Sequence, residues 1–394
     1  MPLALFFRAA AAVPRLICLL FMYANVAKRI TLMVKMPAAR TLLTLLLAWA
    51  AASLCARLQT PLPWMIGPLV VTALLSMLGV PTFSWTPLRN AGQWTIGCAL
   101  GLYFTPQVVA LVSSLWWAIA LNIVWALALG LAFGAWLHRV HHGPGMFHVA
   151  GLRRTTTYFA APVGAASEMT LMAERHGAQT ELVASAHSLR VLLVTLIIPF
   201  GFQWAGLHGL DATVPGARGV NGAGLLALAV LTGGGCWVMI KLERTNPWFL
   251  GALTVALLLT AFGITLSAIP QSLTNAAQLV IGISLGVRFT RSFVRQAPRW
   301  LGSVALATLG MIALCAAFAW GLAQFTQIHW ATLLLGTSPG GIAEMSITAK
   351  VLQLGVPLVT AFHVTRLAAV LVLAEPMYRW LYLKKPRSPQ AMKR

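Results

Sequence analysis

The sequence predicts an all-α, polytopic membrane protein with two inverted repeats of about five transmembrane helices, each containing one broken, re-entrant segment. Its 394 residues are 59% hydrophobic and only 9% charged, whereas a soluble domain carries about 25% charged residues. Many continuous apolar runs reach the roughly 20 residues needed to cross a bilayer. The net charge of +21 arises from basic residues that fall largely between these runs, where they orient helices and meet anionic lipid. We therefore expect membrane lipid as a partner and no direct binding of nucleic acid.

Three sequence blocks occur twice, in the same order. PWMIGPL at Pro63–Leu69 matches PWFLGAL at Pro247–Leu253, with an offset of 184 residues. NAGQWTIGCALGLYFT at Asn90–Thr105 matches NAAQLVIGISLGVRFT at Asn275–Thr290 at nine of sixteen positions, with an offset of 185. The third pair contains the Glu-Met dipeptides that begin at residues 168 and 344, with an offset of 176. A nearly constant offset indicates an internal duplication.

The duplication divides the chain into two membrane repeats, 41–207 and 222–383, joined by a polar, Gly-rich linker at 208–221. Residues 1–40 form an N-terminal extension without a counterpart, for which an interfacial helix, a cleaved leader and a start codon placed too early all stay open. Residues 384–394 form a basic cytoplasmic tail. The predicted spans are Thr41–Ala56, Pro63–Val80, Asn90–Pro106, Ser113–Leu137, Glu181–Leu207, Gly222–Ile240, Pro247–Ile269, Asn275–Val287, Leu301–Phe325 and Val356–Leu383.

The distribution of positive charge predicts the topology. If the N-terminus is cytoplasmic and both Glu-Met segments are re-entrant, nearly all basic loops lie inside the cell. These loops contain Arg139, Arg153, Arg154, Lys241, Arg244, Arg288, Arg291, Arg295 and Arg299. If both segments crossed the bilayer fully, the cluster Arg288–Arg299 would lie outside. Because five spans per repeat is an odd number, we expect the repeats to have opposite orientations, with the Glu-Met segments meeting near the midplane.

The two Glu-Met segments carry the candidate binding site. Each begins with a Pro/Gly break, and a His and an Arg follow the Glu by 19 and 22 residues. The candidate substrate- or ion-binding residues are Glu168, Glu344, Arg190, Arg366, His187 and His363, and the candidate helix-breaking residues are Pro162, Gly164, Pro339, Gly340 and Gly341. A repeated broken helix with charge in apolar surroundings is typical of the binding site of a secondary transporter.

A carboxylate inside a membrane is costly unless it is paired, hydrated or protonated. The two glutamates could therefore carry a proton, bind a cation or hold a positively charged substrate. The alternative is structural: ion pairs from Glu168 to Arg190 and from Glu344 to Arg366 would hold each broken segment to the following helix. The arginines could instead clamp a carboxylate or phosphate, and the histidines could relay protons or pack in the core.

Three further patterns favour structural roles. GxxxG at Gly97–Gly101 and at Gly282–Gly286 predicts close helix packing. Helix capping is favoured over lining a pathway for four amides at the start of the same helices, Asn90, Gln93, Asn275 and Gln278. A basic loop could supply copper ligands, His138, His141, His142 and His148. Their spacing fits no strong metal motif, so we expect no metal site, cofactor or catalytic residue.

These blocks resemble the AbrB family of bacterial integral membrane proteins over about Thr41 to Leu383. The resemblance rests on PWxxGxL, on NAxQxxIGxxLGxxFT and on the PxGxxxEM/SPGGIAEM pair with its trailing His and Arg. It implies a duplicated membrane domain in the bacterial inner membrane. Members sometimes carry the provisional label of ammonia monooxygenase, and one branch is described as a regulator of gene expression. Residues 1–40 depart from the family pattern.

Taken together, the patterns favour a transporter-like protein and not an enzyme, in which a small solute or ion of unknown identity moves by coupling to protons or ions. The alternative is a membrane regulator or sensor that influences gene expression through a partner, with Arg288–Arg299 as a candidate contact surface. An enzyme resembling an ammonia monooxygenase is the third interpretation and depends on the histidine loop. The sequence leaves a homo-oligomer open.

Overall fold

A computed structural model describes residues 37–142, 151–207, 209, 219–291 and 298–383. Within these ranges all regular secondary structure is helical, which confirms the predicted class. Helices suit an apolar chain in lipid because they satisfy every backbone polar group within one segment. Most of the N-terminal extension, most of the linker and the basic tail lie outside the described residues.

The described ranges contain fifteen α-helices. The first half forms α1 Pro37–Arg57, α2 Pro63–Met77, α3 Thr86–Gly101, α4 Pro106–Ser114, α5 Trp116–His142, α6 Arg154–Ala160, α7 Ala166–Arg175 and α8 Thr180–Trp204. The second half forms α9 Gly222–Lys241, α10 Pro247–Ala261, α11 Gln271–Gly286, α12 Pro298–Ala323, α13 Trp330–Thr337, α14 Ile342–Val351 and α15 Val356–Tyr378. A π-helical turn, Arg379–Leu383, continues α15.

Six helices are long and apolar enough to cross a membrane: α1, α5, α8, α9, α12 and α15. The chain is therefore a multi-pass membrane protein. The other four predicted spans correspond to shorter helices. Helices α2 and α10 have 15 residues each, and α3 and α11 have 16 each. At 1.5 Å per residue these helices reach about 24 Å, less than the roughly 30 Å hydrocarbon core.

The helices pack in two groups that each combine both halves of the chain. The first group, called the panel here, contains α1, α2, α3, α9, α10 and α11. The second, called the core bundle, contains α5 to α8 and α12 to α15. Within the panel, α3 packs on α10 and α11 packs on α2. These contacts are reciprocal between the halves, and the opposite membrane orientation of the repeats stays a prediction.

Glycines permit the reciprocal contacts in the panel, as the GxxxG patterns predict. A methyl group on Gly97 would collide with the carbonyl oxygen of Phe249, and one on Gly282 would collide with the carbonyl oxygen of Met65. Phe249 is the counterpart of Met65 at the offset of 184 residues. The two helix pairs therefore use matched positions for the same close approach.

Both Glu-Met segments are broken helices in the core bundle, as predicted. In the first half α6 ends at Ala160 and α7 begins at Ala166, with Gly164 at φ +104° and Ala165 at φ +53° between them. In the second half α13 ends at Thr337 and α14 begins at Ile342. Pro and Gly interrupt the two segments because Pro lacks an N–H and Gly tolerates non-helical backbone.

Three local predictions were wrong. The predicted spans Asn90–Pro106 and Ser113–Leu137 leave residues 107–112 outside any helix, but these residues belong to α4, which follows α3 at a bend of 86°. Asn90 and Asn275 are not caps, because each is the fifth residue of its helix. The expected histidine loop is also helical as far as His142, because α5 extends to that residue and ends with basic side chains that suit a helix C-terminus.

Candidate functional site

In the first broken segment, the side chains of His187 and Arg190 on α8 bind the backbone at the end of α6. Arg190 Nη1 donates to the carbonyl oxygen of Ala161 at 3.0 Å, and Nη2 donates to that of Pro162 at 2.6 Å. His187 Nε2 lies 2.9 Å from the carbonyl oxygen of Phe159. These carbonyls are the ones that a helix terminus leaves unpaired. Arg190 therefore caps α6 from a neighbouring helix.

The second broken segment repeats this arrangement. Arg366 Nη1 donates to the carbonyl oxygen of Ser338 at 2.7 Å, and Nη2 donates to that of Gly340 at 2.9 Å. His363 Nε2 lies 2.8 Å from the carbonyl oxygen of Leu335. Both arginines are only 2% exposed. Each buried guanidinium is thus stabilised by the negative end of a half-helix.

The hydrogen bond inside each His–Arg pair fixes the tautomer of the histidine. Arg190 Nη2 lies 2.6 Å from His187 Nδ1, and Arg366 Nη2 lies 2.8 Å from His363 Nδ1. A guanidinium can only donate, so each Nδ1 accepts and each Nε2 carries the proton that binds a carbonyl. In this arrangement both imidazoles are neutral and position the arginines. A proton relay through either ring would first have to break its bond to arginine.

The ion pairs considered as the structural alternative for the glutamates do not form. Among the described residues, no Lys, Arg or His nitrogen lies within 4.0 Å of the carboxylate of Glu168 or Glu344. The arginines expected as their partners bind backbone carbonyls. Each glutamate is instead the third residue of a half-helix, α7 or α14, where a negative charge stabilises the helix N-terminus.

The two glutamates differ in their surroundings. Glu344 is 8% exposed, and its carboxylate lies so close to Gly341 that a methyl group there would collide with it. The Glu344 side chain therefore folds back over the start of α14. Glu168 is half-buried, and the chain before it adopts left-handed backbone at Ala165.

All of the predicted binding residues line one cavity between the panel and the core bundle. Its volume is about 160 Å³. The predicted residues in its wall are Glu168, His187, Arg190, Glu344, His363 and Arg366, together with Gly164, Pro339, Gly340 and Gly341 of the two breaks. Pro162 is the one predicted helix-breaking residue outside this wall, although its carbonyl oxygen binds Arg190. The structure thus brings the two repeated motifs together.

The cavity also contains polar residues that were not predicted as site residues. Arg89 and Gln93 reach it from α3, Asn246 from the start of α10, and Ser284 and Arg288 from α11 and its end. Gln93 had been interpreted as a cap and Arg288 as part of a loop. The sequence contains a signal for the two arginines. At the offset of 185 residues, Arg288 aligns with Tyr103 and Arg89 aligns with Thr274, so each arginine is a charge that only one half of the chain carries.

A second cavity of about 390 Å³ adjoins the first. The two cavities share Ala166, Ser167 and Arg288, and the second continues along α8 to Glu181. Arg288 is exposed. It therefore stands where the inner cavity joins the outer one, on the side where α8 begins.

Three of the four histidines that were weighed as copper ligands and set aside, His138, His141 and His142, do not converge on one point. His141 is buried and its Nε2 lies 2.8 Å from Ser303 Oγ, while His138 and His142 contact each other across one turn of α5. His148 lies outside the described residues. No group of three or more His, Cys, Asp or Glu side chains suited to a metal ion occurs in the described part of the chain.

The fold and the cavity define a multi-pass membrane protein with a charged internal site between two broken helices. The family model described as "Transition state regulatory protein AbrB" matches residues 64–382. Because this match covers most of the chain, the protein belongs to the AbrB family.

Two relatives each match more than four-fifths of the chain. The Escherichia coli K12 protein named "Putative regulator AbrB" is 26% identical over 335 residues, which cover 83% of this chain and 92% of the relative. The Bacillus subtilis 168 protein named "Uncharacterized protein YhjN" is 25% identical over 344 residues, which cover 81% of this chain and 87% of the relative. No solved structure matches the chain.

Proposed function

We propose that this protein is a carrier of the bacterial inner membrane that moves a small solute by coupling to protons or ions. The observation that carries the proposal is the meeting of two broken helices, each with a carboxyl group, at one cavity. Discontinuous helices at the interface of repeats are the usual binding sites of secondary transporters. The analogy is supported by the charges in this cavity and does not depend on the fold alone.

The packing offers a physical basis for movement. The cavity lies between the panel and the core bundle, and each of these groups is closely packed within itself. Displacement of one group against the other would alter access to the cavity while the broken helices keep their hydrogen bonds. Alternating access in transporters occurs largely by such rigid-body motion of one bundle against another.

The proposal assigns different tasks to the charged residues. Glu168 and Glu344 serve as coupling groups that bind and release a proton or cation, because neither carboxylate has a cationic partner within 4.0 Å among the described residues. Arg190 and Arg366 balance charge and hold the breaks open through carbonyl contacts. His187 and His363 position these arginines.

The test is electrical. The protein is reconstituted in liposomes on a solid-supported membrane and exposed to concentration jumps of small acids, amines, ammonium and metal ions. We expect at least one solute to evoke a current that the double variant Glu168→Gln/Glu344→Gln abolishes. The matched control is Glu243→Gln, since Glu243 is an exposed residue away from the cavity. A current that persists unchanged in the double variant would contradict the assigned coupling role.

A second function, membrane regulation, is favoured by the printed names of the family and of the Escherichia coli relative. In that case the cavity would bind a ligand without moving it, and a cytoplasmic partner would sense the bound state. Cross-linking in membranes followed by pull-down tests this possibility. Ligand-dependent capture of one specific cytoplasmic protein, with no solute movement in liposomes, would favour regulation over transport.

A further inference from the structure

Two guanidinium groups of the cavity take no part in holding the broken helices. Arg89 and Arg288 both line it. No Asp or Glu carboxylate lies within 4.0 Å of either in the described ranges, and Arg89 Nε is buried without a hydrogen-bond partner. A buried guanidinium nitrogen without a hydrogen-bond partner is costly, which applies to Arg89 Nε, whereas Arg288 is exposed. Their position indicates that they bind something that enters the cavity.

The wall of the cavity is positively charged as a whole. Four arginines face two glutamates there, Arg89, Arg190, Arg288 and Arg366 against Glu168 and Glu344. The positive N-terminal ends of α7 and α14 also lie at the cavity, since their first residues are part of its wall. Even with both glutamates ionised, positive charge exceeds negative charge. The electrostatics favour an anionic ligand.

The two unassigned arginines are also the charges that the duplication does not repeat. Thr274 is the counterpart of Arg89, and Tyr103 is the counterpart of Arg288. The Glu, His and Arg of the broken segments, in contrast, occur in both halves. Arg288 stands where the inner and outer cavities join. Arg89 and Arg288 therefore supply the excess positive charge of the cavity, and neither has a charged counterpart in the other half.

We propose that Arg89 and Arg288 bind the oxyanion group of a small ligand, a carboxylate or a phosphate, and that this anion is the solute of the carrier. The inference rests on the proposed function for the movement of the anion, and on the cavity alone for its binding. Guanidinium groups match both anions because they donate paired hydrogen bonds to their oxygens. The volume of about 160 Å³ is close to that of an engineered cavity that holds benzene, so the anion has roughly that size.

The binding test uses the purified full-length protein in lipid nanodiscs at constant ionic strength. Thermal unfolding is followed while acetate, succinate, inorganic phosphate, ammonium or sodium is titrated. We expect a carboxylate or phosphate to stabilise the protein in a saturable manner. The titration that raises the unfolding temperature identifies which anion is bound. The variant Arg89→Thr/Arg288→Tyr, which installs each counterpart residue, should bind about 100- to 10,000-fold more weakly, because a hydrogen bond to a charged group is lost at each of two sites.

Two further variants serve as controls for the binding test. Arg139→Gln removes an exposed arginine of α5 outside the cavity and should leave anion affinity unchanged. Arg89→Lys/Arg288→Lys retains both charges but loses the paired donors, so its affinity should lie between those of the parent and the counterpart variant. If no carboxylate and no phosphate stabilises the protein, or if the counterpart variant binds as tightly as the parent, the inference is wrong.

Uptake of labelled succinate and phosphate into liposomes separates this inference from the proposed function. Currents evoked by ammonium or sodium that depend on Glu168 and Glu344, without any anion binding, would support the carrier and overturn the anion site. Anion binding that depends on Arg89 and Arg288, without uptake or current, would support the site and overturn the carrier. Uptake lost in both the glutamate and arginine variants would support both.

Discussion

The two broken segments share one scaffold and differ in the residues that complete it. In each, an Arg and a His from the following helix bind the carbonyls at the end of the first half-helix. The backbone at the breaks is different. Ala165 has φ +53°, whereas its counterpart Gly341 has φ −83° and lies under the Glu344 carboxylate. The histidine contacts match position for position, whereas Arg366 binds carbonyls one and two residues further along the chain than those that correspond to the partners of Arg190.

Loss of the arginine contacts at either break is expected to have the largest effect on stability. Arg190→Met and Arg366→Met each leave carbonyls buried without a donor, and each unsatisfied carbonyl costs about 1–3 kcal/mol. We expect each variant to lose about 3–5 kcal/mol of unfolding free energy, measured by thermal unfolding in detergent. The control is Arg139→Met, at an exposed position, which should change stability little. A much smaller loss in one of the two variants would show that the scaffolds are not equivalent.

A methyl group at Gly341 is expected to have an intermediate effect on stability. This effect is specific to the second break, where Gly341 contacts Glu344. Gly341→Ala should cost about 1–3 kcal/mol, because the new methyl group must displace the carboxylate. In a Glu344→Ala background the same substitution should cost almost nothing, since the backbone at φ −83° accepts alanine. A double-mutant cycle measures this coupling. Equal costs in both backgrounds would place the strain elsewhere.

The left-handed backbone at Ala165 predicts the smallest effect, of opposite sign. Ala165→Gly should raise the unfolding free energy by up to about 1 kcal/mol, because glycine avoids the steric cost of this conformation. The control is Ala307→Gly inside α12, which should lower stability by about 0.5–1 kcal/mol. Both values come from thermal unfolding of the purified variants. If Ala165→Gly destabilised the protein, the restricted backbone of alanine would contribute more to stability than the steric cost of its left-handed conformation removes.

Several features could be predicted from the sequence because they depend on local or repeated patterns. Apolar length and low charge predict membrane helices, and Pro/Gly breaks predict the interruptions near residues 162 and 339. The missed starts of helices also had local signals. Pro87 lies in the first turn of α3, and Thr105 with Pro106 opens α4 by accepting a hydrogen bond from the Val108 N–H, an arrangement typical of helix starts.

The partners of the charged residues could not be predicted. Opposite charges at regular spacing suggested Glu–Arg ion pairs, but sequence spacing does not show that a freed helix terminus competes for the same guanidinium. The carbonyls of Ala161 and Ser338 bind these arginines because a buried carbonyl without a donor is costly. His141 likewise binds Ser303, which lies 162 residues away in the chain.

The membrane class, the duplication and the family could be predicted without coordinates, because each follows from composition or from residues close together in the chain. The tertiary structure alone decided that both breaks meet at one cavity, that Arg190 and Arg366 cap helices, and that Arg89 and Arg288 face the same space. The physical reason is that these relations depend on how the panel packs against the core bundle. That packing joins residues from distant parts of both halves, and no local pattern encodes it.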